Sequence, residues 1–209
     1  MVYLAATYKG TPYSDHRYAG GPQAIPGRVM CAYYDVGGEG VAYHDTVPVN
    51  QGSGRLNPAD GSYLNEFRIN ESVDVSYTKF RDAIDNSAYN FAQPGRDMLY
   101  VGWTEPGEWV KYTVDVKKTG TYGVDILYTS NRGGTISVSF DDADRTGPLK
   151  IPSTYREDDP VDWRQWHHWN RMDRIAVIDL EEGLHTCTLH TVEQGQMNYA
   201  YMEFVLLKE

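Results

Sequence analysis

From Glu108 to its end the chain alternates with little interruption. "EWVKYTVDV" sets Val110, Tyr112, Val114 and Val116 at every second position, and "TYGVDILYTS", "GTISVSFDD", "RIAVIDL", "LHTCTLHTV" and "YAYMEFVLL" follow. A period of two sends neighbouring side chains to opposite faces of an extended strand, so one face can be buried while the other stays wet. Each run is short, β-branched or aromatic, and bounded by turn residues such as Lys118–Gly120, Arg132–Gly134 and Glu181–Gly183. No helical period lies between them. Strands in this order join through tight turns and must bury their apolar faces against one another. The expectation is an all-β chain folded as a β-sandwich.

The first half is less regular. "RVMCAYYDV" reads as a strand ended by Gly37-Gly38, and "FRINESVDVSY" (67–77) as a second. Between them run the Gly-rich "GEGVAYHDT" and a long polar loop, "VNQGSGRLNPADGSYLNE" (49–66). "KFRDAIDNSAYNFAQPGRD" (79–97) has faint helical spacing, but its Asn, Gly and Pro favour a loop with one short helical turn. Residues 1–24 read as an extended lead-in or linker. There Tyr3, Tyr8, Tyr13 and Tyr18 recur at a spacing of five that suits neither helix nor strand. The domain proper is expected over 25–209.

Composition narrows the function classes. The formal net charge is −10 over 209 residues, which repels phosphate backbones and disfavours nucleic acid and anionic membrane surfaces as partners. No stretch approaches the roughly 20 apolar residues of a membrane span, and "MVYLAATYKG" lacks the basic and apolar regions of a signal peptide. Two cysteines, Cys31 and Cys187, cannot make a disulfide framework. Both sit in strand-like runs, which leaves two buried thiols or one bridge open.

No GxSxG, HExxH, P-loop or GxGxxG is present. The adjacent His167 and His168 would face opposite sides of a strand and could not chelate one ion together. Glu105 and Glu108 flank the Pro106-Gly107 turn, and Asp158, Asp159 and Asp162 crowd a second loop. A carboxylate pair could hydrolyse sugars, but nothing apolar beside these acids would raise a pKa, and solvated loop acids are the simpler reading. Tryptophan is more informative. Trp103 and Trp109 bracket the Pro-Gly turn, and Trp163, Trp166 and Trp169 crowd "VDWRQWHHWNR". Exposed, such rings stack on the C–H face of a pyranose while neighbouring amides take its hydroxyls; buried, they plug the sandwich.

Three segments in order weigh on that choice. They are "AIPGRVMCAYYDVGGEGVAYHDT" (24–46), "YVGWTEPGEWVKYTVDVKKTGTYGVDILYTS" (100–130) and "LEEGLHTCTLHTVEQGQMNYAYMEF" (180–204). Together they resemble carbohydrate-binding module family 6, the jelly-roll β-sandwich modules of secreted glycoside hydrolases, over about residues 24–207. The resemblance implies a cleft at one end of the sandwich. Trp103, the aromatic after "VG", and Trp166, with Trp169 as fallback, would enclose a sugar there, and Asn198 would bond its hydroxyls. It also implies a platform on the concave sheet face at Trp109. Glu39 and Tyr43 complete the expected ligand-binding set. The family's calcium is held by acids of "EAE" and "NxDY"; here Met30, Ala32 and Ala200 stand at those positions, so no metal or other cofactor is expected.

The expected function is non-catalytic binding of an oligo- or polysaccharide, holding an attached glycoside hydrolase near its polymer outside the cell or at its surface. The alternatives are a glycan-active enzyme using loop carboxylates, and a structural accessory domain whose clefts are disused, for instance covered by the 49–66 loop.

Overall fold

The computed structural model describes residues 8–209 and shows two packed β-sheets. In the first sheet, Trp109–Val116, Gly183–Glu193 and Gly134–Phe140 pair antiparallel in that order. The short strand Gln23–Ile25 runs parallel along the free edge of Trp109–Val116, and Tyr43–His44 pairs with its start. In the second sheet the order is Asn170–Leu180, Gly120–Ser130, Met197–Lys208, Leu99–Val101 and Val75–Tyr77, with Gly27–Met30 also paired to Met197–Lys208. The six alternating runs of the second half are the six long strands.

The period of two works as expected. Val110, Tyr112, Val114 and Val116 are buried between the sheets, while Trp109, Lys111 and Asp115 stay half-buried on the other face. Each fully buried aliphatic or aromatic side chain contributes roughly 1.5–3 kcal/mol relative to exposure, and the two sheets supply a continuous core of them. Cys31 and Cys187 lie in this core as free thiols, and burial pushes the Cys31 thiol up to about 12.

Two strand expectations are corrected. "RVMCAYYDV" is extended only through Met30; Cys31–Tyr33 is a 3-10 turn that lets the Tyr112 hydroxyl donate to the Cys31 carbonyl at 3.1 Å. "FRINESVDVSY" is extended only at Val75–Tyr77, because Arg68 takes a left-handed φ of 52° and its guanidinium donates to the Tyr34 and Asp35 carbonyls and the Glu71 carboxylate. That buried cation draws the segment inward, which alternation cannot reveal. The 79–97 stretch is a loop with one 3-10 turn at Arg81–Ala83.

Within residues 1–24, Tyr3 lies outside the described residues. Tyr13 and Tyr18 stack on Tyr33 at centroid distances of 5.5 and 4.3 Å, and the Tyr8 hydroxyl donates to Asp35 at 2.8 Å. Residues 8–22 therefore lie on the sandwich as part of its surface.

Candidate functional site

The ends of three strands of the second sheet meet at one edge of the sandwich. Asn198 stands opposite Thr129, Met197 opposite Ser130, and Tyr199 opposite Val101. Whatever follows Val101 and Ser130, or precedes Met197, must gather there. Trp103 follows Val101, Gln196 precedes Met197, and a 3-10 turn, Asp162–Trp166, is laid against Thr129, whose hydroxyl donates to the Trp166 carbonyl at 2.7 Å. The result is an open cleft of about 360 Å³ lined by Trp103, Trp163, Trp166 and Tyr100, with Asn198, His167, Gln196 and Leu56 completing it. That volume is near the lower end of the roughly 300–1,000 Å³ typical of small-molecule sites.

Backbone strain sets one wall. Trp103 holds φ at 50°, a conformation that bulky residues rarely adopt and that costs on the order of 1–3 kcal/mol. Its neighbours hold it there. The Gly102 N–H donates to the Asp74 carbonyl at 2.9 Å, and Thr104 exchanges hydrogen bonds with Met197 through its hydroxyl at 3.0 and 3.1 Å. The 49–66 loop backs the indole. A Cβ on Gly52 would lie 3.3 Å from Trp103 and 2.0 Å from the Val75 carbonyl oxygen, so only glycine permits this approach. The loop is docked by Asn50, whose side-chain oxygen accepts from the Gly52, Ser53 and Val75 amides. It forms a wall of the cleft, ending in the exposed Leu56, and leaves Trp163 and Trp166 exposed at 53% and 37%.

The opposite wall and the floor are joined. The Asn198 amide nitrogen donates to the Trp166 carbonyl and to the Thr129 hydroxyl, each at 2.8 Å. Gly102 passes so close that a Cβ there would lie 2.6 Å from Asn198 Oδ1. His167 packs edge-on to Trp163 at 6.0 Å, with Nδ1 2.9 Å from the Asp85 carboxylate.

The expected site residues therefore divide. Trp103, Trp166 and Asn198 come together. Trp169 does not: it is fully buried, its indole N–H donating to Asp85 at 2.7 Å and its ring meeting Tyr100 edge-on at 5.3 Å. The 3-10 turn that exposes Trp163 and Trp166 ends at Trp166, and Trp169 lies beyond it, just before the strand that begins at Asn170. Tyr43 is also buried, pairing with Val110 and packing against Tyr34. Glu39 is not in the cleft; its carboxylate bonds His44 Nδ1 at 2.5 Å and the Asp45 amide at 3.1 Å. Trp109 is half-buried on the outer face of the first sheet, in a shallow hollow with Lys111, Ser139, Asp142, Thr188 and His190. Trp163, His167, Gln196, Tyr100 and Leu56 are additional cleft residues. Adjacency to Trp166 was the only sequence signal for His167, and the long loop gave none for Leu56.

Most of the loop acids are tied into structure, while Asp162 is exposed to solvent. Asp159 is buried, paired with Arg164 and with His168 Nε2 at 2.7 Å, and these hydrogen bonds hold its carboxyl well below the usual range. Asp158 pairs with Arg156. Glu108 accepts from the Thr46 and Glu105 amides. Among the described residues no cluster of three or more His, Cys, Asp or Glu side chains is arranged to hold a metal. At the calcium positions implied by the resemblance, Ala32 and Ala200 are fully buried, and Met30 and Ala200 pack with Tyr100, Leu127, Trp169 and Tyr201. Side chains without oxygen do not fit that ion.

Comparison with known proteins agrees with this architecture. The profile of the carbohydrate binding module (family 6) matches residues 78–207. A β-1,3-glucan-binding family 6 module from Bacillus halodurans superposes with a TM-score of 0.50 at 15% identity, over 88% of this chain and 98% of that one. CsCBM6-3 from Clostridium stercorarium, solved with cellobiose, gives 0.51 at 14% identity, over 89% and 98%. A family 43 arabinoxylan arabinofuranohydrolase from Bacillus subtilis, solved with cellotetraose, gives 0.53 at 15% identity over 90% of this chain, but only 30% of that longer one. A search of curated protein sequences returns no match. These structural likenesses share the fold alone, while the profile spans well over half of the sequence: the chain belongs to the family 6 carbohydrate-binding modules.

Proposed function

We propose that this module binds a neutral oligo- or polysaccharide in the end cleft without catalysis, stacking a sugar ring on Trp103 and Trp166 while Asn198 takes a hydroxyl. One observation carries the reading: the half-buried Trp103, the exposed Trp163 and Trp166, and a fixed side-chain amide converge on one open cleft. An apolar plug would have buried these indoles, as the core buries Trp169. Stacking supplies affinity because an indole face matches the C–H face of a pyranose, and the amide supplies orientation. The Asp158, Asp159, Glu105 and Glu108 carboxylates are engaged in ion pairs and hydrogen bonds, which supports a binding role over hydrolysis. Its task would be to hold an attached glycoside hydrolase at a polymer outside the cell. Trp109 would serve a separate face.

Calcium is part of the same proposal: at Met30, Ala32 and Ala200 the metal is replaced by packing, with the flexible Met30 side chain filling space. Titration calorimetry on a panel of neutral oligosaccharides tests the cleft. Trp103→Ala should abolish binding there, Trp109→Ala should leave it intact, and both proteins should melt cooperatively. Unchanged affinity in a folded Trp103→Ala protein would refute the assignment.

A further inference from the structure

The polar atoms of the cleft are committed in a way that decides what kind of sugar can enter. Asn198 spends both amide hydrogens inside the protein. One goes to the Trp166 carbonyl, which can only accept, so the orientation of the amide is fixed and Oδ1 is left facing the cleft beside Gly102. Gln196 gives an amide hydrogen to the Glu105 carboxylate, which again only accepts, and so fixes its own oxygen as an acceptor.

His167 is fixed from below. Asp85 is fully buried, and fixed N–H donors face both of its oxygens: the Trp169 indole at Oδ1 and the Lys79 amide at Oδ2, each at 2.7 Å. Fixed N–H donors on both oxygens favour the ionised form of the carboxyl, which can only accept. Asp85 is therefore a carboxylate, and the His167 nitrogen 2.9 Å from it must carry the hydrogen. Neutral His167 is then the Nδ1–H tautomer, and its bare Nε2 is an acceptor. Among the described residues no lysine or arginine lines the cleft. Its donors are indole N–H groups and the second Gln196 hydrogen.

We propose that Asp85 is a positioning residue that makes His167 Nε2 a third fixed acceptor, beside Asn198 Oδ1 and Gln196 Oε1. This arrangement restricts the cleft to sugars with free hydroxyls and excludes those bearing sulfate or carboxylate groups at the contacted positions. The inference rests on the sugar-binding reading above. A hydroxyl donates to an acceptor, whereas a sulfate or carboxylate oxygen only accepts and would face lone pairs with no cation to offset its charge. The whole chain adds a net charge of −10 to that repulsion.

Nitrogen-15 NMR of the imidazole rings at neutral pH tests the positioning directly. We expect His167 with Nδ1 protonated and Nε2 bare in the ligand-free protein. Calorimetry with cellotetraose and a β-1,3-glucan tetramer, against their sulfated forms and an oligoglucuronate, tests the selectivity. His167→Phe keeps the ring against Trp163 and removes both nitrogens; it should weaken binding of a neutral tetramer about tenfold, and the anionic sugars should not bind. An Nε2–H tautomer overturns the inference while leaving the carbohydrate reading intact. Equal affinity for neutral and anionic sugars, or for wild type and a folded His167→Phe, overturns it too. If no sugar of either kind binds, the carbohydrate reading falls, and the selectivity inferred here falls with it.

Discussion

Gly102→Ala adds one methyl group at the most constrained point of the cleft. The new Cβ would stand 2.6 Å from Asn198 Oδ1 and 3.1 Å from Tyr100, against the 3.4 Å at which ordinary contact begins. Tyr100 has to yield by only a few tenths of an ångström. Asn198 has to move by about 0.8 Å, and it cannot do so while both of its amide hydrogens stay bonded at 2.8 Å to Trp166 and Thr129. Overpacking of this kind costs roughly 1–3 kcal/mol. Loss of one Asn198 bond falls within that range, since a net hydrogen bond contributes about 0.5–1.5 kcal/mol. The effect on binding should be larger than the effect on folding. Oδ1 would be pushed out of its place as an acceptor, and Trp166, which shares the same clamp, would shift with it. Thermal melts should show a cooperative transition lowered by a few degrees, and calorimetry should show sugar affinity reduced at least tenfold. A Gly102→Ala protein that melts and binds like wild type would mean that Asn198 is not held as described.

Other perturbations separate core from cleft. Trp169→Ala should cost about 3–5 kcal/mol because it empties a fully buried site and removes a donor from Asp85; a chemical denaturation midpoint near wild type would contradict this. Chelator should leave the melting temperature unchanged if Met30, Ala32 and Ala200 have replaced the ion, since a metal bound only to the folded state would raise it. Burial, with Glu108 nearby, raises the Asp45 carboxyl to about 7. An acid whose folded pKa lies above its unfolded value favours folding at low pH, and that contribution is lost as pH rises from about 4 to 7. Asp45→Asn should therefore match wild type in melting temperature near pH 4 and exceed it near pH 8; parallel curves would refute the assignment. Cys31 and Cys187 should resist thiol reagents until the protein unfolds, because the thiolate is the reactive form and burial suppresses it.

The sandwich was legible because its long strands bury one face each, so the constraint is local and periodic: Val110, Tyr112, Val114 and Val116 announce themselves. The first half was less legible because long-range polar contacts hold it. Arg68 reaching Tyr34 and Asp35, or Asn50 docking the 49–66 loop, leaves no period in the sequence. The cleft divides in the same way. Trp103 and Asn198 sit beside strand ends whose register brings them together, and a motif can carry them. Trp166 and Trp169 look equivalent in "WRQWHHW", yet one is exposed and the other fully buried, because a 3-10 turn ends between them. Tyr43 faces the core between the buried Ala42 and the exposed His44, and nothing in "GVAYHDT" reports that it does.

The clamp on the Trp166 carbonyl has a thermodynamic consequence. Thr129 and Asn198 together hold the backbone of one wall to the floor, and the Gly102 and Thr104 contacts hold the other. Such a cleft loses little conformational freedom when a ligand enters, so the ordering entropy that weakens loop-built sites is small here. Further stiffening would gain little affinity, and changes in preference have to come from shape. Leu56 is the most exposed residue of the wall, at 57%, on a loop whose anchors lie at Asn50 and Asn57 on either side of it. Substitution there should change which sugar fits while the sandwich folds as before.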